Sequence, residues 1–203
     1  MSPGSLPGTA GTPTSSTRVH IPPCRLADAC ATTDFVFFPG GDDCKLKGWD
    51  VRTAEDELPI WTNKRFDAGV TCIQTSPHRP NVVAVGSYNS TLTLLDPRYP
   101  SRPLIDPIDI GGGAWRVKWH PSAERSNDIL VACMHDGFKV VRLETEAEGG
   151  AVSVVGSELL TRFDGHESLA YGADWSYATK ATGGETLVGS ASFYDHLVQL
   201  WSA

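Results

Sequence analysis

From Phe35 onward the chain is written in short apolar runs, each soon broken by Gly, Ser, Asp or Asn. The pattern is clearest near the end, in SLAYGADWSY (Ser168 to Tyr177), TLVGSAS (Thr186 to Ser192) and LVQLW (Leu197 to Trp201), with the turn FYDH between the last two. Runs rich in Val, Leu, Ala and aromatics between turn residues predict three antiparallel strands. Such a unit cannot bury both faces alone, so it needs copies of itself.

Copies are present. Turns carrying Asp or Asn, each followed six residues later by a strand end, occur at Asp43, Asn89, Asp136 and Asp195. Three are preceded by an inner-strand run: GVTCIQTSP (Gly69 to Pro77), GAWRVKWHP (Gly113 to Pro121) and LAYGADWSY (Leu169 to Tyr177). Middle strands follow as NVVAVGSY (Asn81 to Tyr88), DILVACMH (Asp128 to His135) and TLVGSAS. An all-strand repeat of roughly 40 to 50 residues predicts an all-β fold, a WD-repeat β-propeller. It is partial, with three full blades and one partial blade.

The pattern divides the chain. Residues 1–30, rich in Ser, Pro, Gly and Thr, predict a disordered tail. Residues 31–203 form the WD-repeat region, with a partial blade at 31–58 and blades at 66–100, 111–143 and 161–203. The stretch 144–160, ETEAEGGAVSVVGSELL, reads as an inserted surface loop with room for a short strand at Val152 to Val155.

Composition narrows the function. The 203 residues carry a net charge of -7, which argues against nucleic acid as the main partner. No apolar run approaches the length of a membrane span, so a cytoplasmic location is expected. Five cysteines without a CxxC pair predict neither a disulfide framework nor a metal site. No organic cofactor is expected either.

Candidate chemistry falls in the turns and inner-strand starts. Aligned inner strands put Trp115 and Tyr171 in one register near one mouth of the channel, with Arg116 next to the first. They can line a binding face or pack blade on blade. His135-Asp136 and Asp195-His196 sit in equivalent turns, and His beside a carboxylate is raw material for general-base activation of water. The same aspartates can instead accept turn N–H groups. His166, in Gly165-His166, is open to a base role or to a hydrogen bond inside its blade with Asp195, and Asp174 is a further orienting carboxylate. No GxSxG elbow or HExxH motif occurs. Trp49, Asp50 and Arg52 form a WDxR element, readable as a strand end or as an adaptor-docking box like that of cullin-based ubiquitin-ligase receptors.

Several blocks taken together resemble one family, the diphthine methylesterases of the diphthamide pathway. They are GGDDCKLKGWDVR (Gly40 to Arg52), SPHRPNVVAVGSY (Ser76 to Tyr88), GGAWRVKWHP (Gly112 to Pro121), ACMHDGFKV (Ala132 to Val140), ESLAYGADWS (Glu167 to Ser176) and SFYDHLVQLW (Ser192 to Trp201). On this resemblance the sequence is expected to lack the family's N-terminal blades. The resemblance implies a hydrolase that removes the methyl ester of methylated diphthine on translation elongation factor two and releases methanol. That substrate bears a trimethylammonium group, which Trp115 and Tyr171 could hold by cation–π contact. The catalytic candidates are then His135, His166 or His196 with Asp136, Asp174 or Asp195, and Arg116 or backbone N–H groups face the oxyanion. The rival expectations are a non-catalytic WD-repeat scaffold or substrate receptor and an inactive truncated form.

Overall fold

The structure is a computed structural model that describes residues 26–31, 35–56, 58–148, 151–178 and 184–203. Four antiparallel sheets follow one another along the chain. The first contains β1 (Leu26–Ala31), β2 (Val36–Gly41), β3 (Lys45–Asp50) and β4 (Trp61–Asn63). The second contains β5 (Val70–Thr75), β6 (Val83–Ser87), β7 (Thr91–Leu95) and β8 (Ile108–Asp109). The third contains β9 (Arg116–Trp119), β10 (Asp128–Ala132), β11 (Phe138–Glu148) and β12 (Ala151–Phe163). The fourth contains β13 (Ala170–Trp175), β14 (Leu187–Ser192) and β15 (Val198–Ser202). In each sheet the strands pair in chain order, so every blade is a meander.

The repeat is therefore a partial propeller, although its incompleteness falls elsewhere than the sequence predicts. Leu26–Ala31 pairs with β2 and gives the first sheet four strands, whereas the fourth sheet has three. A tail through residue 30 is thus shortened on its C-terminal side, and residues 1–25 lie outside the described residues. The expected loop at 144–160 is instead the far half of a hairpin, with Leu143 opposite Ser157 and Glu148 opposite Ala151. Its alternation of Val and Ser, too short to stand out alone, is extended by pairing with a strand whose register the blade has already set.

Apolar side chains fill the layers between sheets. Phe38, Leu46, Val70, Ile73 and Val85 pack the first layer; Ala84, Leu94, Val117, Ile129 and Val131 pack the second; Leu130, Val140, Ala170, Trp175 and Val188 pack the third. Full burial of such side chains contributes about 1.5–3 kcal/mol each, so these layers outweigh the hydrogen bonds between blades. Those bonds set the register of the inner strands. Trp119 Nε1 donates to the Gln74 carbonyl at 3.1 Å, and Trp175, at the equivalent place one blade on, donates to the Lys118 carbonyl at 3.0 Å. Repeated clasping brings the starts of β9 and β13 side by side, and the candidate site is built there.

Candidate functional site

Four aromatic side chains run across three blades at this mouth. Tyr88 follows β6, Trp115 precedes β9, Tyr171 lies in β13, and Phe193 follows β14. Trp115 and Tyr171 meet edge to face with ring centroids 5.1 Å apart. Tyr88 flanks Trp115 at 6.0 Å, and Phe193 flanks Tyr171 at 6.5 Å. Phe193 and its neighbour Tyr194 are 67% and 64% exposed and meet edge to face at 5.2 Å. With Tyr171, Gly172, Ala191 and Ser192 they line a cavity of about 450 Å³. Arg116 beside Trp115 is exposed and forms no ion pair among the described residues. The mouth is held closed between the third and fourth sheets by the Ala170 N–H, which donates to the Met134 carbonyl at 2.8 Å.

His166 sits beneath this surface in a buried network. Its Nδ1 is 3.1 Å from Asp195 Oδ2, and its Nε2 is 2.9 Å from Ser190 Oγ. The order Ser–His–Asp has the distances of a hydrolytic triad. Its setting is different. Ser190 is 1% exposed, and its Oγ also accepts the Trp201 indole N–H at 3.2 Å. No substrate carbonyl can reach that oxygen, so the network braces the fourth blade. Asp195 also accepts the Leu197 N–H at 3.0 Å. Burial alone would raise its pKa, but this N–H and His166 outweigh burial and hold the carboxyl below its usual value.

The neighbouring His–Asp pairs do not form in space. Asp136 is clamped by Lys139 and, at 2.8 Å, by Arg162; the Lys139 hydrogen bond is the main cause of its lowered pKa. Lys139 is buried and donates also to the Ile110 carbonyl at 2.6 Å. His135 beside it is exposed and has no ion pair with a carboxylate among the described residues. His196 is exposed, with φ at +55° in the left-handed region, and its ring lies 6.4 Å from the Phe193 ring. Asp174 bridges blades through Lys118 at 3.1 Å and accepts the Trp175 N–H. Among the described residues no group of three or more His, Cys, Asp or Glu could hold a metal ion. Burial pushes the Cys133 thiol up to about 12, which removes it as a nucleophile.

The structure brings Trp115 and Tyr171 into contact, with Arg116 exposed next to Trp115 in the chain; His196 stands against Phe193, and His135 lines a different cavity with Gly137, Phe138 and His166. Sequence reasoning missed Tyr88, Phe193 and Tyr194. Aligning the turns at Asn89, Asp136 and Asp195 would have put Tyr88, His135 and Tyr194 in one register. At the opposite strand ends, Asp50 and Arg52 close on each other at 2.6 Å while Trp49 is buried, and Asp96 and Arg98 repeat the arrangement one blade on. The recurrence matches the strand-end reading of the WDxR element. Among the described residues no helix is long and apolar enough to cross a membrane.

No protein-family model matches the chain. It is 42% identical over 140 residues, 69% of its length, to a protein of Mus musculus named diphthine methyltransferase. It is 36% identical over 176 residues to a diphthine methyltransferase homolog of Dictyostelium discoideum, and 32% identical over 188 residues to the Saccharomyces cerevisiae diphthine methyltransferase, matching 82% of its own length in both. The chain spans 28%, 46% and 44% of these three relatives. Among solved structures, a chain of a mitotic checkpoint complex superposes with a TM-score of 0.63 at 15% identity, covering 83% of this chain and 46% of that one. The computationally designed Ika4 protein superposes at 0.59 and 14% identity, covering 91% and 94%. These structures show the propeller fold alone. The relatives are named for methyl transfer, which overturns the expectation of a carboxylic ester hydrolase releasing methanol. Five relatives named diphthine methyltransferase, or a homolog of it, match this chain at 30–42% identity, each over less than half of its own length.

Proposed function

We propose that this chain is a WD-repeat segment of a protein that acts on diphthine in diphthamide biosynthesis, and that its aromatic mouth recognises the substrate's trimethylammonium group on elongation factor two. The observation that carries the reading is the contact of Trp115 with Tyr171, flanked by Tyr88 and Phe193. A quaternary cation cannot form hydrogen bonds through its methyl groups, so it selects aromatic faces; each contact is worth about 0.5–2 kcal/mol depending on desolvation. The net charge of -7 adds long-range attraction for a cation. The names of the relatives support methyl-group chemistry on diphthine as the setting.

The test is binding of elongation factor two carrying diphthine, with choline as competitor and its neutral carbon isostere 3,3-dimethylbutanol as control. Choline is expected to compete and the isostere to fail. Trp115→Ala should weaken binding about tenfold, equivalent to about 1.4 kcal/mol, with an unchanged melting temperature. Equal competition by both probes overturns the reading, as does a Trp115→Ala protein that binds normally.

A further inference from the structure

Residues 96–107, DPRYPSRPLIDP, join the two outer strands of the second sheet, β7 and β8. Its prolines fix much of the loop's backbone, and hydrogen bonds fix most of the rest. The Tyr99 N–H donates to the Asp96 carbonyl at 2.8 Å, the Arg102 N–H to the Tyr99 carbonyl at 3.1 Å, and the Leu104 N–H to the Leu94 carbonyl at 2.8 Å. From the first sheet, Asn63 Nδ2 donates to the Pro100 carbonyl at 2.7 Å. Pro100 and Ser101 thus take the two corners of a turn that Tyr99 and Arg102 close, and proline suits the first corner of such a turn. Ser101 is left exposed on an anchored backbone.

Its surroundings are cationic. Ser101 shares the lining of a cavity of about 670 Å³ with Arg98, three residues before it, and Arg102, next after it. Arg102 is exposed and has no ion pair with a carboxylate among the described residues. Arg98 is paired with Asp96, but its side chain is 62% exposed, and a pair so open to water exchanges readily for another carboxylate. An acidic surface can therefore read Arg98 while it approaches the hydroxyl. Once a phosphate is attached, the Arg102 guanidinium beside it is available to pair with the added charge. We propose that Ser101 is a phosphorylation site for an arginine-directed protein kinase, with Arg98 read by the kinase and Arg102 holding the phosphate afterwards. In the transfer, Ser101 Oγ bonds to the γ-phosphorus of ATP, the bond from that phosphorus to its bridging oxygen breaks to release ADP, and the hydroxyl proton passes to the kinase's catalytic aspartate. The site lies at the strand ends opposite the aromatic mouth and does not rest on the diphthine reading.

The test incubates the intact chain with ATP and the catalytic subunit of cAMP-dependent protein kinase, an arginine-directed enzyme, beside a blocked peptide of residues 94–106, and locates the phosphate by mass spectrometry. Phosphate is expected on Ser101 of the chain, and Ser101→Ala should abolish it. Arg98→Gln should lower kcat/KM at least about tenfold. The same substitution in the peptide makes that comparison free of any effect on folding. The second pKa of the attached phosphate, followed by phosphorus NMR, should lie lower in the chain than in its Arg102→Gln variant, because a neighbouring guanidinium favours the dianion. Uptake by the peptide but not by the chain overturns the site, because the anchored turn then cannot be presented to a kinase. Uptake by neither, or uptake by the chain that survives Ser101→Ala, overturns it as well. A rate unchanged by Arg98→Gln in chain and peptide removes the arginine reading, and a phosphate pKa unchanged by Arg102→Gln overturns the holding role.

Discussion

The third and fourth blades fix the same turn by different chemistry. Asp136 and Asp195 occupy equivalent positions between middle and outer strands. In the third blade the carboxylate is gripped by two cations, Lys139 and Arg162; in the fourth it takes a histidine that leads on to Ser190 and Trp201. One turn position therefore accepts either an ion-pair cluster or a hydrogen-bond chain, provided the carboxylate ends up with donors. The aspartate is the constant, and its role in both blades is to hold the turn.

Substitutions sharpen this contrast in order of effect. His166→Ala takes the partner from Asp195 Oδ2 and from Ser190 Oγ, leaving them the Leu197 N–H and the Trp201 indole N–H, so it should cost about 3 kcal/mol in urea unfolding. A variant of unchanged stability would break the structural reading of that network. Asp136→Asn removes the anion from the buried Lys139 but leaves Arg162 free to turn to solvent, and about 2 kcal/mol is expected. Its loss should shrink in high salt if the ion pairs are what matters; a loss independent of salt would place the effect in the turn itself.

A pH scan separates the fourth blade's support from both. His120 Nε2 bonds Thr186 Oγ1 at 2.8 Å, its Nδ1 accepts the Ser122 N–H at 3.0 Å, and burial, assisted by the Arg125 guanidinium, holds its pKa below the usual histidine value. The folded state therefore favours the neutral ring. Its contribution is complete above the unfolded pKa of about 6.5 and is lost as pH falls through that value toward the folded one. Melting temperature should fall from pH 7 to about 5, and His120→Gln should flatten the slope; a wild-type profile already flat there would sink the assignment. The smallest effects belong to the two exposed turn histidines. His196→Gly relieves a left-handed backbone and should stabilise by about 0.5–1 kcal/mol, while His135→Ala should stay within about 0.5 kcal/mol.

Strand order and turn positions were readable because a period-two apolar pattern and a turn carboxylate are both local signals. Trp115 and Tyr171 were readable for a related reason: aligned repeats put equivalent residues on one surface. The His166–Asp195 bond, one of the two alternatives read for His166, forms across 29 residues of chain. The base roles of His135 and His196 were misread, because both stand next to aspartates in the chain, yet neighbours in a turn point apart. Lys139 likewise looks like a solvated strand residue until the Asp136 turn folds over it. β1 escaped notice because LADACA lacks the branched and aromatic residues that mark a strand, and pairing with β2 supplies what its own composition does not.

The hairpin formed by β11 and β12 carries its own ladder out to Glu148 and Ala151, beyond the point where Leu143 and Val154 join the core. Residues can thus be added or removed there in opposed pairs without moving anything the blade depends on. For a lineage under selection this is inexpensive ground on which to vary length, and for the experimenter it is a natural position for a fused tag or spectroscopic label.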